Sequence, residues 1–389
     1  MTPPRRYSAR RIVDRAARRR RKAFVAAPAP RWKFHNPVAV AFGSGCLAQL
    51  PDRLGRRGAV VVTFAEAEAL GLHARLEQIL GERLRGFVSD IAPNPDVAEL
   101  RGLYGRFWRD YGDCQAIVAV GGGSALDAAK VLLAGTADGA FGDLEASLAG
   151  GRSFVPHGTK ALITVPTTAG TGSEVTPWAT VWDRGAHRKY SLQLDATWPE
   201  AAFVDPELTM TLPASVTLHS GLDALSHALE SIWNVNANPV SDALAVAAAK
   251  SMMAALPALM REPRSAELRA RASQAALQAG LAFSNTKTAL AHSLSYEMTL
   301  SHGLPHGIAC SFTLPLVLER ARGRDAARDA VLAQVFPCPL DEAGDWLRAF
   351  LESLGVSPRF ETYGVAADES ARMIADALEG PRGRNFIGA

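Results

Sequence analysis

AIVAVGGGSALDAAK, residues 116–130, decides the fold. An unbroken apolar run is followed by three glycines, then a serine and an Ala/Leu-rich segment. That order reads as strand, tight turn and helix. A strand with no polar alternation is buried on both faces, as in a parallel sheet covered by helices. Glycines let backbone N–H groups approach an anion closely, and the helix start adds positive potential. GGGS is not the GxGxxG fingerprint, so a standard Rossmann phosphate loop is excluded. An ordinary strand-to-helix turn without ligand is the competing reading.

Moving outward, similar runs recur at 38–42 (VAVAF), 59–64 (AVVVTF), around 86–88 (GFV) and 161–166 (ALITVP). Amphipathic stretches such as 97–111 and 124–134 separate them, which predicts a mainly parallel α/β sheet. After Leu212-Pro213 the pattern changes to helical segments at 215–233, 240–260, 264–283, 285–299, 324–335, 340–354 and 366–378. The chain therefore divides into an arm (1–30), an α/β domain (31–212) and an all-helical domain (213–389).

A length of 389 residues fits two such domains, and 48% hydrophobic with 21% charged residues is a globular composition. Lys250 interrupts the Ala-rich stretch after Asp242, so no run is expected to span a membrane. Cys46, Cys114, Cys310 and Cys338 are scattered, which argues for a reducing, cytoplasmic setting and against disulfides or a thiolate metal site. Residues 1–30 carry ten cations and one acid, whereas the whole chain is only +3, so the body is mildly acidic. The arm ends in a Pro/Ala linker and lacks the apolar core of a secretory signal. A nucleic-acid-binding role for it predicts steeply salt-dependent association; a plain extension is the reading preferred here.

Two further stretches carry chemistry. VPTTAGTGSEVT (165–176) is a hydroxyl-rich loop after a strand, whose Thr167, Thr168, Thr171, Ser173 and Thr176 suit hydrogen bonds to phosphate, ribose or carboxamide. GLDALSHALES places Asp223 and His227 one helical turn apart, on the same face. AHSLSYEMTLSHGLPHG adds His292 and, in a Gly/Pro turn, His306. Three imidazoles and a carboxylate suit a divalent transition metal. A surface acid–histidine pair is the plain alternative, but the apolar neighbours make an unpaired charge costly.

In this order, GGGSALDAAK, VPTTAGTGSEVT, VDPEL (204–208), GLDALSHALE and LPHGIA resemble the iron-containing (group III) alcohol dehydrogenases, from about Asn36 to at least Pro315. The resemblance implies an N-terminal α/β dinucleotide-binding domain and an all-α C-terminal domain, the dehydroquinate synthase-like fold, with a cleft between them. It implies that Asp223, His227, His292 and His306 hold a catalytic metal, normally Fe2+, with Zn2+ compatible with the same ligands. By position, Gly122, Gly123 and Ser124 would meet the pyrophosphate of NADH or NADPH. Asn94, Asp127, Thr167, Thr168, Thr176 and Lys189 would line the rest of the nucleotide site.

Two departures refine this expectation. Many members have an acid after the second strand; Phe64 stands here and removes the usual obstacle to a 2′-phosphate, so NADPH is admitted beside NADH. Many alcohol-active members have a second histidine one turn beyond the third ligand, where this chain has Tyr296. HSLSY, HALESIWNVNANPVSDALA (227–245), LPHGIACSFTLP and the ending GRNFIGA resemble most the phosphonoacetaldehyde reductase branch of phosphonate biosynthesis. The expected partner is then a small aldehyde or alcohol bearing a phosphonate, with Lys287, Arg322 and His302 as candidate anion contacts and Tyr296 or His302 as candidate proton donors. A short-chain alcohol, 4-hydroxybutyrate or maleylacetate enzyme is the alternative within the family, and a dehydroquinate-synthase-like cyclase the alternative outside it. No membrane or nucleic-acid partner is expected, and a homodimer is admitted.

Overall fold

The polypeptide was described through a computed structural model covering residues 31–150 and 153–389, so the basic arm 1–30 lies outside the described residues. Six strands form the main sheet: β1 (Ala39–Phe42), β2 (Ala59–Phe64), β3 (Leu84–Ile91), β4 (Ala116–Gly121), β7 (Ala161–Pro166) and β10 (Ala201–Val204). Short β5 (Ala134–Gly135) pairs with β6 (Gly158–Thr159), and β8 (Trp178–Asp183) forms an antiparallel hairpin with β9 (Arg188–Gln193). The main sheet has the order β1-β10-β7-β4-β2-β3, and every pairing in it is parallel.

Period-two alternation explains why continuous apolar runs were needed. Val60, Val62, Ile117 and Ala119 enter a core on one face, while Ala59, Val61, Ala116, Val118 and Val120 enter a core on the other. The first face is covered by helices Val97–Tyr111 and Gly123–Leu132. The second takes Leu72, Leu76 and Leu80 of helix Leu72–Leu80. Strand β10 and the β8–β9 hairpin were not anticipated. AAFV is only four residues long, and the hairpin mixes aromatic and polar side chains outside the main sheet.

From Ala214 onward the chain is helical, with Ala214–Ile232, Pro239–Arg261 and Ala266–Thr286 packed together over a large apolar cluster. Pro239–Arg261 is long and apolar enough to cross a membrane by length and composition, which corrects the expectation placed on Lys250. Here that helix is a core element: Ala245, Ala249, Met252 and Leu256 are buried, and its Asp242 accepts both Nη groups of Arg328 at 2.6 and 2.9 Å. The expected break near residue 284 falls later, at Lys287, whose φ of +66° ends one helix before Leu290–Leu300 begins.

Candidate metal and nucleotide cleft

A cavity of about 570 Å³ runs from the glycine turn to the histidines of the helical half. At one end, β4 stops at Gly121, whose φ of +155° suits glycine alone and where a Cβ would lie 2.7 Å from that of Ala125. Helix Gly123–Leu132 follows with no side-chain cap at Gly122, so its first N–H groups face the cleft unclaimed by a cap. Asn94, in the left-handed region at φ +58°, donates its N–H to Ser124 Oγ at 3.0 Å and closes the near wall. Such a cradle fits a dinucleotide's phosphates.

The threonine loop is braced from beneath. Lys130 is wholly buried and donates to Ser173 O, Ser173 Oγ and Trp178 O at 2.7, 2.6 and 2.8 Å. Burial pulls its ammonium down to about 8, and burial likewise lifts neighbouring Glu174 to about 7. Asp127 accepts from Ser173 Oγ and the Thr180 N–H, which ties the glycine-turn helix to loop and hairpin together. Eight of the nine anticipated nucleotide positions line the cavity. Thr167 is the exception: it is buried, and its N–H donates to Gly121 O at 2.9 Å, so it braces the turn while Thr168 and Thr171 face the cleft. The hairpin sets Lys189 opposite Trp182 and carries its ammonium to 4.5 Å from the Tyr296 ring. Burial, with the nearby charge of Arg382, pulls Lys189 down to about 7.

At the other end, helix Ala214–Ile232 presents Asp223 and His227 from one face, and Leu290–Leu300 presents His292. His306 opens the short helix His306–Ala309. Gly307 permits this approach, since a Cβ there would come within 1.8 Å of His219 O on the facing helix. The outcome is convergent: Asp223 Oδ1 lies 3.8 Å from His227 Nε2, 3.4 Å from His292 Nε2 and 3.9 Å from His306 Nε2. His227 is clamped between the rings of Phe283 and His292, at centroid distances of 4.1 and 4.5 Å.

The donor chemistry fits a cation. His292 Nδ1 meets Glu230 Oε2 at 2.5 Å, which leaves Nε2 as the buried, unpartnered lone pair turned toward Asp223. Burial opposes the charge of Asp223, but the three histidines hold its carboxyl well below the usual range. Burial also pulls His227 down to about 4 and His306 well below the ordinary imidazole value, leaving them neutral, as metal ligands must be. At His292 burial is outweighed by Glu230 and Asp223, which draw positive charge to the ring. Imidazole lone pairs facing a carboxylate at these separations repel unless a proton or metal ion lies among them.

Two residues of this cluster were not anticipated. Glu230 is fully buried and also accepts the N–H groups of Ala291 and His292 at 2.6 and 3.3 Å, one turn beyond the His227 position. Cys310, set aside with the other cysteines, lies with Asp223, His292 and His306, its Sγ 3.4 Å from Asp223 Oδ1. Two other expectations are corrected. Arg322 is exposed and donates to Leu340 O and Asp341 O, away from the cleft, and His302 faces Glu369 at 3.7 Å outside it. Lys287 and Tyr296 do line it.

The sequence matches the iron-containing alcohol dehydrogenase family over residues 37–206 and that family's C-terminal domain over residues 217–386. The NAD-dependent methanol dehydrogenase of Bacillus methanolicus is 33% identical, the match covering 89% of this chain and 93% of that protein. Long-chain-alcohol dehydrogenase 1 of Geobacillus thermodenitrificans is 34% identical over 87% of this chain and 88% of its own. Among solved structures, sulfoacetaldehyde reductase from Bifidobacterium kashiwanohense in complex with NAD+ superimposes with a TM-score of 0.84 at 29% identity, covering 92% of this chain and 94% of that one.

Proposed function

The chain belongs to the iron-containing alcohol dehydrogenase family, and on that premise we propose that it reduces a short anionic aldehyde, phosphonoacetaldehyde first among them, to the primary alcohol. The observation that carries the reading is the convergence of Asp223, His227, His292 and His306 in the same cleft as the glycine turn. These four residues would hold Fe2+, or Zn2+ in its place. The ion would supply Lewis-acid polarisation of a carbonyl oxygen, and the reaction class is reversible hydride exchange with a nicotinamide.

The chain's own residues do the rest. Glu230 fixes the His292 ring so that Nε2 faces inward. Gly122, Gly123, Ser124, Thr168 and Thr176 bind and orient the nucleotide, with Asn94, Asp127 and Lys189 completing its walls; residues 31–212 form that half and 213–389 the metal-binding half. Phe64, its ring edge 3.2 Å from where a Gly121 Cβ would sit, leaves no acid there to repel a 2′-phosphate, so NADPH stays admissible beside NADH. Burial pushes the Tyr296 phenol up to about 12, so Tyr296 stays protonated and acts as a hydrogen-bond donor.

Anionic substrates are favoured because Lys189, Lys287 and Arg382 all line the wall beside the cluster. A sulfonate is likewise anionic and tetrahedral, and the likeness to a sulfoacetaldehyde reductase supports that second substrate. The test is kinetic: protein loaded anaerobically with Fe2+, given NADH or NADPH, should turn over phosphonoacetaldehyde or sulfoacetaldehyde at least about tenfold better in kcat/KM than propanal. Equal or better turnover of the neutral aldehyde would remove the anionic substrate from the account and favour a short-chain alcohol enzyme.

A further inference from the structure

The last seven residues of ordered chain after Arg382 are not a loose end. Val235 N–H donates to Asn385 O at 2.8 Å, Ile387 N–H donates to Trp233 O at 3.2 Å, and Asn385 Nδ2 donates to Thr288 O at 2.9 Å. This pinned segment carries Arg382 into the cleft wall. Its guanidinium carbon lies 4.8 Å from the centroid of the Tyr296 ring, and Nε donates to Thr288 Oγ1 at 3.1 Å. A guanidinium has five N–H donors, so four remain after that bond.

Among the described residues no carboxylate stands within 4 Å of Arg382, whereas Arg328, also half-buried, is held bidentate by Asp242. Lys189, its ammonium 4.5 Å from the centroid of the same Tyr296 ring, likewise lacks a carboxylate partner within 4 Å among the described residues. When Lys189 is protonated, the two cations against one aromatic ring repel each other. Cation–π attraction to the shared ring offsets only part of that repulsion. An arrangement of this kind is completed by an anion. Tyr296 lies four residues beyond His292 on one helix, about 6 Å along its axis, the span of a two- or three-carbon chain.

Resting on the anionic-aldehyde reading above, we infer that Arg382 is the residue that selects the substrate, its Nη groups gripping the phosphonate or sulfonate oxygens while the aldehyde end reaches the histidine cluster. Thr288 and Tyr296 act as positioning residues that hold the guanidinium plane. A planar fork suits two oxygens of a tetrahedral oxyanion, which a lysine ammonium cannot match.

The experiment compares Fe2+-loaded wild type, Arg382→Ala and Arg382→Lys on phosphonoacetaldehyde, sulfoacetaldehyde and propanal, with NADH affinity followed by fluorescence. Arg382→Ala should lower the ratio of anionic to neutral kcat/KM roughly 10- to 100-fold, mainly through KM, and Arg382→Lys should fall between. Inorganic phosphate should inhibit wild type competitively against the aldehyde and lose that effect in Arg382→Ala. If wild type prefers anionic aldehydes and Arg382→Ala keeps that preference, Arg382 is not the selector and the substrate class stands. A wild type without that preference overturns the substrate class itself and the selector with it. Weakened NADH binding with an unchanged ratio would assign Arg382 to the cofactor and overturn the inference.

Discussion

Replacing Glu230 by Gln is the perturbation that most sharply separates a built metal site from a chance meeting of side chains. The carboxylate is fully buried and takes three hydrogen bonds, from Ala291 N–H, His292 N–H and His292 Nδ1. An amide of the same size has a single carbonyl oxygen. If that oxygen keeps the two backbone donors, the NH2 group faces Nδ1, which must then accept. The proton moves to Nε2, the atom turned toward Asp223. Bonds to a charged acceptor contribute about 1.5–3 kcal/mol each, and loss of such an outer partner weakens metal binding about 10- to 100-fold. Competition against a chelator for Fe2+ or Zn2+ at neutral pH reads that factor directly on the purified protein. Thermal unfolding of the metal-free variant checks that the fold survives. A metal affinity within about threefold of wild type would refute the claim that Glu230 sets the His292 tautomer for a metal.

Two further outcomes test the architecture. Gly307→Ala drives a methyl group to within 1.8 Å of His219 O, so it should cost about 2–3 kcal/mol of stability and displace His306; a variant with wild-type Tm and metal content would contradict the close approach. Glu174 concerns pH. Burial raises its pKa from 4.5 to about 7, so between these values the folded state binds more protons than the unfolded state and stability is lost as pH rises. The shift corresponds to at most about 3 kcal/mol. Glu174→Gln stays neutral throughout, so the Tm difference, variant minus wild type, should be more positive at pH 8 than at pH 5. A constant or shrinking difference would mean that Glu174 is not buried as a charge.

Much of this architecture is legible because local chemistry dictates it. Strand runs buried on both faces announce a covered parallel sheet, and the three glycines mark the turn where backbone must approach a ligand. Asp223 and His227 share a helix face by spacing alone. What escaped the sequence depends on contacts far apart in the chain. Glu230 gains meaning only when His292, 62 residues later, meets its carboxylate. Cys310 has no partner cysteine at metal-ligand spacing, yet the turn from Gly307 folds it against Asp223. Arg382 is one arginine in a tail, and only the main-chain bonds to Trp233 and Val235 deliver it to the cleft. Thr167 sits in the right loop but is buried, because its N–H is tied to Gly121 O of the neighbouring strand, a contact between segments 46 residues apart.

The central claim is that a metal ion held by Asp223, His227, His292 and His306 is required for hydride transfer. The direct measurement follows nicotinamide absorbance with an aldehyde substrate, using protein stripped of metal and the same protein titrated anaerobically with Fe2+. Turnover should be absent from the stripped protein and return in proportion to the ion added, saturating at one per chain, with no return in Asp223→Asn. Undiminished turnover by the stripped protein, or full recovery in Asp223→Asn, would contradict the account.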